Sequence, residues 1–439
     1  MRNAALIAVV AFALALALRY PFLGVLTWAW FTLMTPHQLA FGVYGIPINL
    51  VIAIGTITAI ALHGGFRNAR IDTLTGLVCA FAVWVAISQV FSLDHTESAL
   101  YTDRFIKTLA FCIICSLTAI DRLRIHALVW LLAIALGFFA AKGAAFTLAT
   151  LGQYRVQGIE NTVLEDNNHM GVALATVLPV LLYLRGAAAQ STVKQGVTGV
   201  FAATLVSILG THSRGAFLSL LAFCSLIWLR TQRKLAILGG LVVVLVPMMI
   251  FMPSKWFERM ATIGEATQDA SFMGRVDAWV INWKLALQNP VTGGGLRNSY
   301  NEVIAAAVDP SRAESAKAAH SIYFEVLGGT GFVGLALLLA ILITAYRRSG
   351  AVAAKYGDQW SGALARQLQT ALVIFCIGGA SVSMEMWDGL WLLVALIASL
   401  ERLTAGKPVS APTPIREKAR PQRPSPAYSR SLYHRRNSA

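Results

Sequence analysis

The chain has 439 residues, of which 56% are hydrophobic and only 13% are charged, and its formal net charge is +15. Soluble domains carry about 25% charged residues, so this composition and the mean hydropathy of +0.63 exclude an ordinary soluble protein. The positive charge does not indicate nucleic acid binding, because the basic residues collect in alternate loops between apolar segments, which is the positive-inside pattern of membrane proteins.

Apolar segments run through almost the whole chain, and a membrane-spanning helix needs about 20 such residues. The first two are short and are separated only by Arg19, Tyr20 and Pro21, so they form either a hairpin or one broken span. Residues 1–18 could also be a cleaved signal peptide, although no polar segment follows them. The segments lie near 4–18, 22–35, 46–62, 73–91, 104–119, 126–145, 169–184, 196–210, 215–229, 235–252, 320–345, 367–384 and 387–402.

These segments predict an all-α integral membrane protein with about 12 transmembrane helices, in a range of about 11–13. We divide it into N-terminal transmembrane helices (1–252), a long loop with amphipathic helices (253–319), C-terminal transmembrane helices (320–403) and a basic tail (404–439). The tail is rich in Pro, Ser and Arg, which predicts disorder. Loop charges place it in the cytoplasm and the long loop on the outer face.

The five cysteines all fall in predicted spans. Cys112 and Cys115 form a CxxC sequence, but no histidine or acidic residue accompanies it inside the apolar helix. We interpret these residues as small buried side chains and predict no disulfide or zinc site. The chain also contains no Walker sequence, so ATP-driven transport has no support.

Arg214 lies in a short turn between two predicted spans, within Thr211–Gly215. It could be an interfacial arginine whose side chain extends to the lipid headgroups. That interpretation is weakened by the predicted topology, which favours arginines on the opposite face. The alternative is an anion clamp, because a guanidinium can donate two parallel hydrogen bonds to phosphate oxygens.

Arg275 is predicted to begin an amphipathic helix. The apolar positions follow helical spacing and place two tryptophans on the predicted buried face, which suits a helix at the membrane interface. They are Val276, Trp279, Val280, Trp283 and Leu287. In the first turn, Arg275 would add its charge to backbone N–H groups that attract anions; a solvated arginine at a helix start is the simpler alternative.

His320 opens the next apolar segment, and a neutral histidine there can accept a proton from a substrate hydroxyl. An interfacial hydrogen-bonding histidine is the simpler alternative. The following glycines, Gly328–Gly331, permit close helix packing or a kink roughly 12–16 Å into the membrane, from the helical rise.

Weaker candidates flank the same predicted face. Lys142 and Arg155 could add positive field, Arg297 resembles the stronger arginines chemically, and Tyr323 and Trp387 lie near predicted span ends. His169, His212 and His320 could in principle hold a metal, but nothing in their spacing requires one. We predict no metal and no cofactor.

The order of several short motifs around the long loop resembles the O-antigen ligase and Wzy-type polymerase superfamily of bacterial membrane glycosyltransferases. The resemblance covers about residues 165–345 and rests on Ser213–Gly215, Gly274–Arg275 with Trp279, Pro290–Gly295, His320–Ser321 and Gly331–Gly334. Tyr20–Pro21 and Thr35–His37 also resemble a subgroup of O-glycosylation ligases.

This resemblance implies an inverting, metal-independent enzyme of the glycosyltransferase C type in the bacterial inner membrane, with its active site facing the periplasm. The donor would be a glycan on undecaprenyl diphosphate and the acceptor lipid A–core, with membrane lipids as the remaining partners. Arg214 and Arg275 map onto the family's essential arginines and His320 onto its histidine. We favour an O-antigen ligase over a polymerase or a protein O-oligosaccharyltransferase. A glycolipid transporter is less favoured than any of these, because the sequence shows no charges at the membrane midplane and no inverted repeats.

Overall fold

The computed structural model describes residues 2–39, 46–67, 70–231, 253–261 and 270–405, together with residues 234, 235 and 239. Within these ranges the chain forms fifteen α-helices and no strand. The predicted tail beyond residue 405 and most of the predicted span 235–252 lie outside the described residues. The helices are α1 (Arg2–Arg19), α2 (Pro21–Met34), α3 (Ile48–Leu62), α4 (Thr73–Val90), α5 (His95–Thr118), α6 (Arg122–Ala149), α7 (Asn167–Ala187), α8 (Ser191–Gly210), α9 (Arg214–Arg230), α10 (Ser254–Ala261), α11 (Ala270–Gln288), α12 (Glu302–Val308), α13 (Ile322–Tyr356), α14 (Trp360–Gly379) and α15 (Asp388–Thr404).

Aspartates cap the starts of four long helices. The carboxylate of Asp72 accepts a hydrogen bond from the N–H of Thr75 at 2.9 Å, and Asp94, Asp121 and Asp166 cap α5, α6 and α7 in the same way. Each cap satisfies a backbone donor that the helix itself leaves unpaired, and its loss typically costs about 0.5–2 kcal/mol. These caps therefore fix where the apolar helices begin.

Two helices form the interior of the bundle. Helix α7 packs against α6, α8, α9 and α14, while α15 packs against α5, α13 and α14. Both are buried along most of their length. The site described below is built around the start of α7 and the loop that precedes α15.

Among the described residues, six helices are long and apolar enough to cross a membrane: α4, α6, α7, α8, α13 and α14. Helices α1, α2 and α3 are apolar but shorter. The first two are separate helices that pack against one another, as a hairpin does. The chain is thus an all-helical, multi-pass membrane protein, and the count of about 12 spans stays a prediction.

The described part of the long loop is helical, but its main helix differs from the sequence prediction. Among the described residues, helix α11 begins at Ala270, so Arg275 lies in its second turn rather than its first. Its most buried face contains Ala278, Ile281 and Leu285, whereas Trp283 is 46% exposed. These residues pack α11 on α13, and the predicted contact of the tryptophans with the membrane interface stays a prediction.

A kink in α13 holds the glycine-rich turn that follows α11. Gly331 has φ of +72° inside the helix, and a Cβ there would lie 2.3 Å from the carbonyl oxygen of Val291. The N–H of Gly294 donates to the carbonyl of Gly328 at 2.8 Å, and Phe332 N–H donates to Pro290. Only glycine fits this backbone contact without strain, so the turn is fixed on the kink rather than flexible.

Candidate active site

Ala319, which precedes His320, is fixed by hydrogen bonds at both its carbonyl and its N–H. The indole of Trp279 donates a hydrogen bond to the carbonyl of Ala319 at 2.7 Å, and the N–H of Ala319 donates to Glu325 Oε1 at 2.8 Å. Trp279 itself stacks on Phe324 with ring centroids 5.3 Å apart. His320 then adopts φ of +46°, a conformation that costs a non-glycine residue energy and persists where the surroundings impose it.

The imidazole of His320 is kept neutral. Burial, and then the positive charge of Arg275, lower the pKa of His320 to about 4. Its Nδ1 is buried and has no hydrogen-bond partner among the described residues. A neutral imidazole at pH 7 has a nitrogen lone pair available to accept a proton.

Arg275 and His320, predicted from distant parts of the sequence, therefore lie in one electrostatic environment. Arg275 projects from the second turn of α11, and α11 packs against the helix that His320 precedes. Because Arg275 is half-buried, its charge is less screened by solvent than that of an exposed arginine.

Arg214 is the first residue of α9, in a turn anchored to the start of α7. The side chain of Asn167 donates to the carbonyl of Thr211 at 2.7 Å, and Ser213 caps the helix. Gly171 allows the close approach, since a Cβ there would lie 2.5 Å from that of Ala216. The start of α9 is thus fixed beside the start of α7, which also carries His169.

His169 links these segments to His320. Its ring lies edge-on to that of His320, with centroids 6.3 Å apart. Its Nδ1 donates to the carbonyl of Val163 at 2.7 Å. Next to it, burial raises the pKa of Asp166, but the electrostatic interaction with His169 and hydrogen bonds from Asn168 lower it overall. Asp166 therefore stays anionic and adds a negative charge beside the two histidines.

Arg297 lies in a buried ion-pair cluster with two glutamates. It pairs with Glu385 at 2.6 Å and with Glu325 at 3.1 Å. Glu325 also accepts hydrogen bonds from Tyr300 and from Ser383. Burial raises the pKa of Glu385, and the charge of Arg297 opposes that rise. Two carboxylates pair with this guanidinium, so its geometry is that of a structural centre next to the site.

A cavity of about 610 Å³ opens beside these groups. Asp166, His169 and Arg297 line it, together with Arg104 and Ser383. Its size falls within the range of about 300–1,000 Å³ typical of ligand pockets. The cavity therefore offers a binding volume that reaches His169, the neighbour of His320.

The other weak candidates have different surroundings. His212 is buried and contacts the carbonyl of Gly152 at 3.0 Å, and Tyr323 donates to the carbonyl of Cys376 at 2.9 Å. Trp387 is 3% exposed and stacks on Phe375, so it belongs to the core rather than to an interface. Lys142 and Arg155 are exposed and line neither the cavity nor the histidine pair.

Several charged residues of the site were not among the sequence candidates, including Arg104 and Glu325. Arg104 lies in a predicted span and lines the cavity, while Glu325 lies in the first turn of α13 and organises the Arg297 cluster. A signal existed for both, because an ionisable residue within an apolar segment is expensive and usually functional or paired. In the part of the chain that the structure describes, no three His, Cys, Asp or Glu side chains gather as a metal site would need.

The fold and the site define a helical, multi-pass membrane protein with a histidine and arginines at its candidate active site. Residues 199–339, which include Arg214, Arg275 and His320, match the family model of O-antigen ligase. The chain thus carries a domain of the O-antigen ligase and Wzy-type polymerase superfamily, and the predicted resemblance is confirmed. Residues 1–189 match a family of unknown function, and none of the curated proteins matches the chain.

Proposed function

We propose that the protein is an O-antigen ligase of the bacterial inner membrane, and that its active site faces the periplasm. It transfers a glycan from undecaprenyl diphosphate to lipid A–core, without a metal and with inversion at the anomeric carbon. The observation that carries this proposal is the neutral imidazole of His320 beside Arg275, inside the region that matches O-antigen ligase.

The proposed reaction needs a base and a stabilised leaving group. An acceptor hydroxyl loses its proton to His320 while its oxygen attacks the anomeric carbon. The bond from that carbon to the diphosphate oxygen breaks on the opposite face, and the electron pair leaves with the lipid diphosphate. Arg214 and Arg275 stabilise the charge that develops there, as preorganised donors do in many enzymes.

The electrostatic interaction between Arg275 and His320 would couple donor binding to base strength. Burial lowers the pKa of His320, and the positive charge of Arg275 lowers it further, so the imidazole is a weak base. A bound diphosphate would offset that positive charge, and the pKa of His320 would rise towards its usual value. His320 therefore becomes a stronger base once the donor is bound, and its imidazole stays unprotonated before that.

The ligase proposal is tested by an electrophoretic gel of lipopolysaccharide from the source bacterium with this gene deleted. We expect glycan beyond the core to disappear while polymer accumulates on the lipid carrier. Core bearing a single repeat unit would indicate a polymerase instead. An unchanged ladder would contradict both and favour protein glycosylation, which needs the same histidine and arginines.

A further inference from the structure

A second cavity, of about 280 Å³, adjoins the first. It lies among α2, α3 and α5, and Arg104 and Thr162 line both cavities. Except for Asp388, the residues that line it fall within the N-terminal region matched by a family of unknown function. This volume is close to the lower end of the range of about 300–1,000 Å³ for ligand pockets, so it suits one small cyclic group.

Two polar atoms in its lining have unmet hydrogen-bonding capacity. The Nδ1 of His37 and the Oδ1 of Asn49 are buried and have no hydrogen-bond partner among the described residues. Buried polar atoms are nearly always paired in folded proteins. A ligand carrying both hydroxyl hydrogens and acceptor oxygens would satisfy these atoms.

The charged groups of this second cavity are largely balanced. Lys107 pairs with Asp103 at 2.5 Å, and Arg104 lies in the field of Asp388. What remains is a neutral lining of amides and hydroxyls with an aromatic ring: Trp28, Thr32, Gln38, Asn49 and Thr108. Such a lining favours an uncharged polyhydroxyl group over a phosphate.

The position of the second cavity connects it to the candidate chemistry. The first cavity reaches His169, whose ring lies 6.3 Å from that of His320. Neither Arg214 nor Arg275 lines either cavity. The two cavities therefore extend from His169, beside the proposed base, and do not include the proposed diphosphate clamp.

We propose that the second cavity binds one uncharged sugar residue of a glycan substrate, held by His37 and Asn49. This inference rests on the proposed function, because the sugar must belong either to the lipid-linked donor or to the acceptor. It also gives the N-terminal region a role: that region recognises the glycan, while the O-antigen ligase region supplies the catalytic groups.

The test uses full-length protein in liposomes, with donor lipid and lipopolysaccharide extracted from the source bacterium lacking this gene. His37→Phe keeps the ring that stacks on Phe31 and removes both nitrogens, while Asn49→Leu removes the amide at similar volume. Thr58→Val is the control, because Thr58 is exposed on the same helix as Asn49. Initial rates are measured while each substrate is varied in turn, and the thermal unfolding midpoint of each protein is recorded.

We expect each site variant to raise the KM for one substrate about tenfold, as the loss of a buried hydrogen bond does. Its kcat, its KM for the other substrate and its unfolding midpoint should stay near wild type. A change confined to the donor KM assigns the sugar to the donor, and one confined to the acceptor KM assigns it to the acceptor. Thr58→Val should match wild type.

Active wild-type protein with unchanged KM values in both variants would overturn the sugar site alone. So would a lower kcat with unchanged KM values, or a lower unfolding midpoint in both variants, because each indicates a structural role. If either site variant fails to insert, Gln38→Ala takes its place, since Gln38 is half-exposed in the same lining. If wild-type protein forms no glycosidic bond, the proposed function itself fails.

Discussion

The ring of His169 lies edge-on to the ring of His320, with centroids 6.3 Å apart. His169 belongs to the N-terminal region of unknown function and His320 to the O-antigen ligase region. The candidate active site is therefore assembled where the two regions meet. A substitution in either region can therefore change the chemistry.

Replacing His320 should separate catalysis from donor binding. We expect His320→Ala to lower the transfer rate about 10²–10⁴-fold, the usual contribution of a general base. Donor affinity should change little, because the arginines remain. Transfer assays with purified protein and binding of labelled donor lipid measure the two effects, and His63→Ala, at an exposed histidine, is the control. Normal turnover in His320→Ala would leave the mechanism without its base.

Replacing either arginine of the proposed clamp should weaken donor binding. A hydrogen bond to a charged group contributes about 1.5–3 kcal/mol, so Arg214→Ala and Arg275→Ala should each lower donor affinity by about 10–150-fold. Lysine at either position should restore part of it, since it keeps the charge but not the planar donor pair. Labelled donor binding is the measurement, with exposed Arg185 changed to alanine as the control. Donor affinity equal to wild type in either variant would remove that arginine from the clamp.

The pH profile should report the depressed pKa of His320. The neutral form is the active one, so kcat/KM should be constant above that pKa and fall as the pH drops through about 4. Arg275→Gln removes one cause of the depression, so the acidic limb should move upwards, towards the usual value near 6.5. A pH–rate profile for both proteins checks this. An acidic limb at the same pH in both would show that Arg275 does not act on the base.

The Arg297 cluster should matter for stability. Removing one partner of a buried ion pair typically costs about 3–5 kcal/mol, because a buried charge is left without compensation. Arg297→Met should therefore lower the thermal unfolding midpoint strongly. The triple variant Arg297→Met, Glu325→Gln, Glu385→Gln should recover part of that loss, since it leaves no buried charge from the cluster. Wild-type stability in Arg297→Met would show that the cluster is not a structural centre.

The glycine at the α13 kink should not tolerate a side chain. Gly331→Ala adds a Cβ at positive φ, 2.3 Å from a backbone oxygen, so we expect poor insertion or a much lower unfolding midpoint. Gly199→Ala is the matched control, because it lies within α8 and an added Cβ meets nothing within 4 Å. That change should be neutral or stabilise by about 0.5–1 kcal/mol. Equal stability of the two variants would show that the kink can relax.

Hydropathy and spacing predicted the helices well, since length and apolar content dictate them. The resemblance also singled out Arg275 and His320, which the structure places close enough for the charge of Arg275 to lower the pKa of His320. Sequence could not predict the rotation of α11, because the packing of Ala278 and Ile281 depends on α13. Nor could it show that Arg297 meets Glu325 and Glu385, since these pairs span 28 and 88 residues of chain, respectively.

Glycosidic bond formation by purified protein in liposomes tests the proposed transferase activity of this protein most directly. Wild-type protein and His320→Ala would receive lipid-linked glycan and lipid A–core, without ATP and with a chelator present. We predict that wild-type protein joins glycan to core while His320→Ala forms at least about 100-fold less product at equal protein. Product formation at the wild-type rate by His320→Ala, or lipid movement without any new bond in wild-type protein, would contradict it.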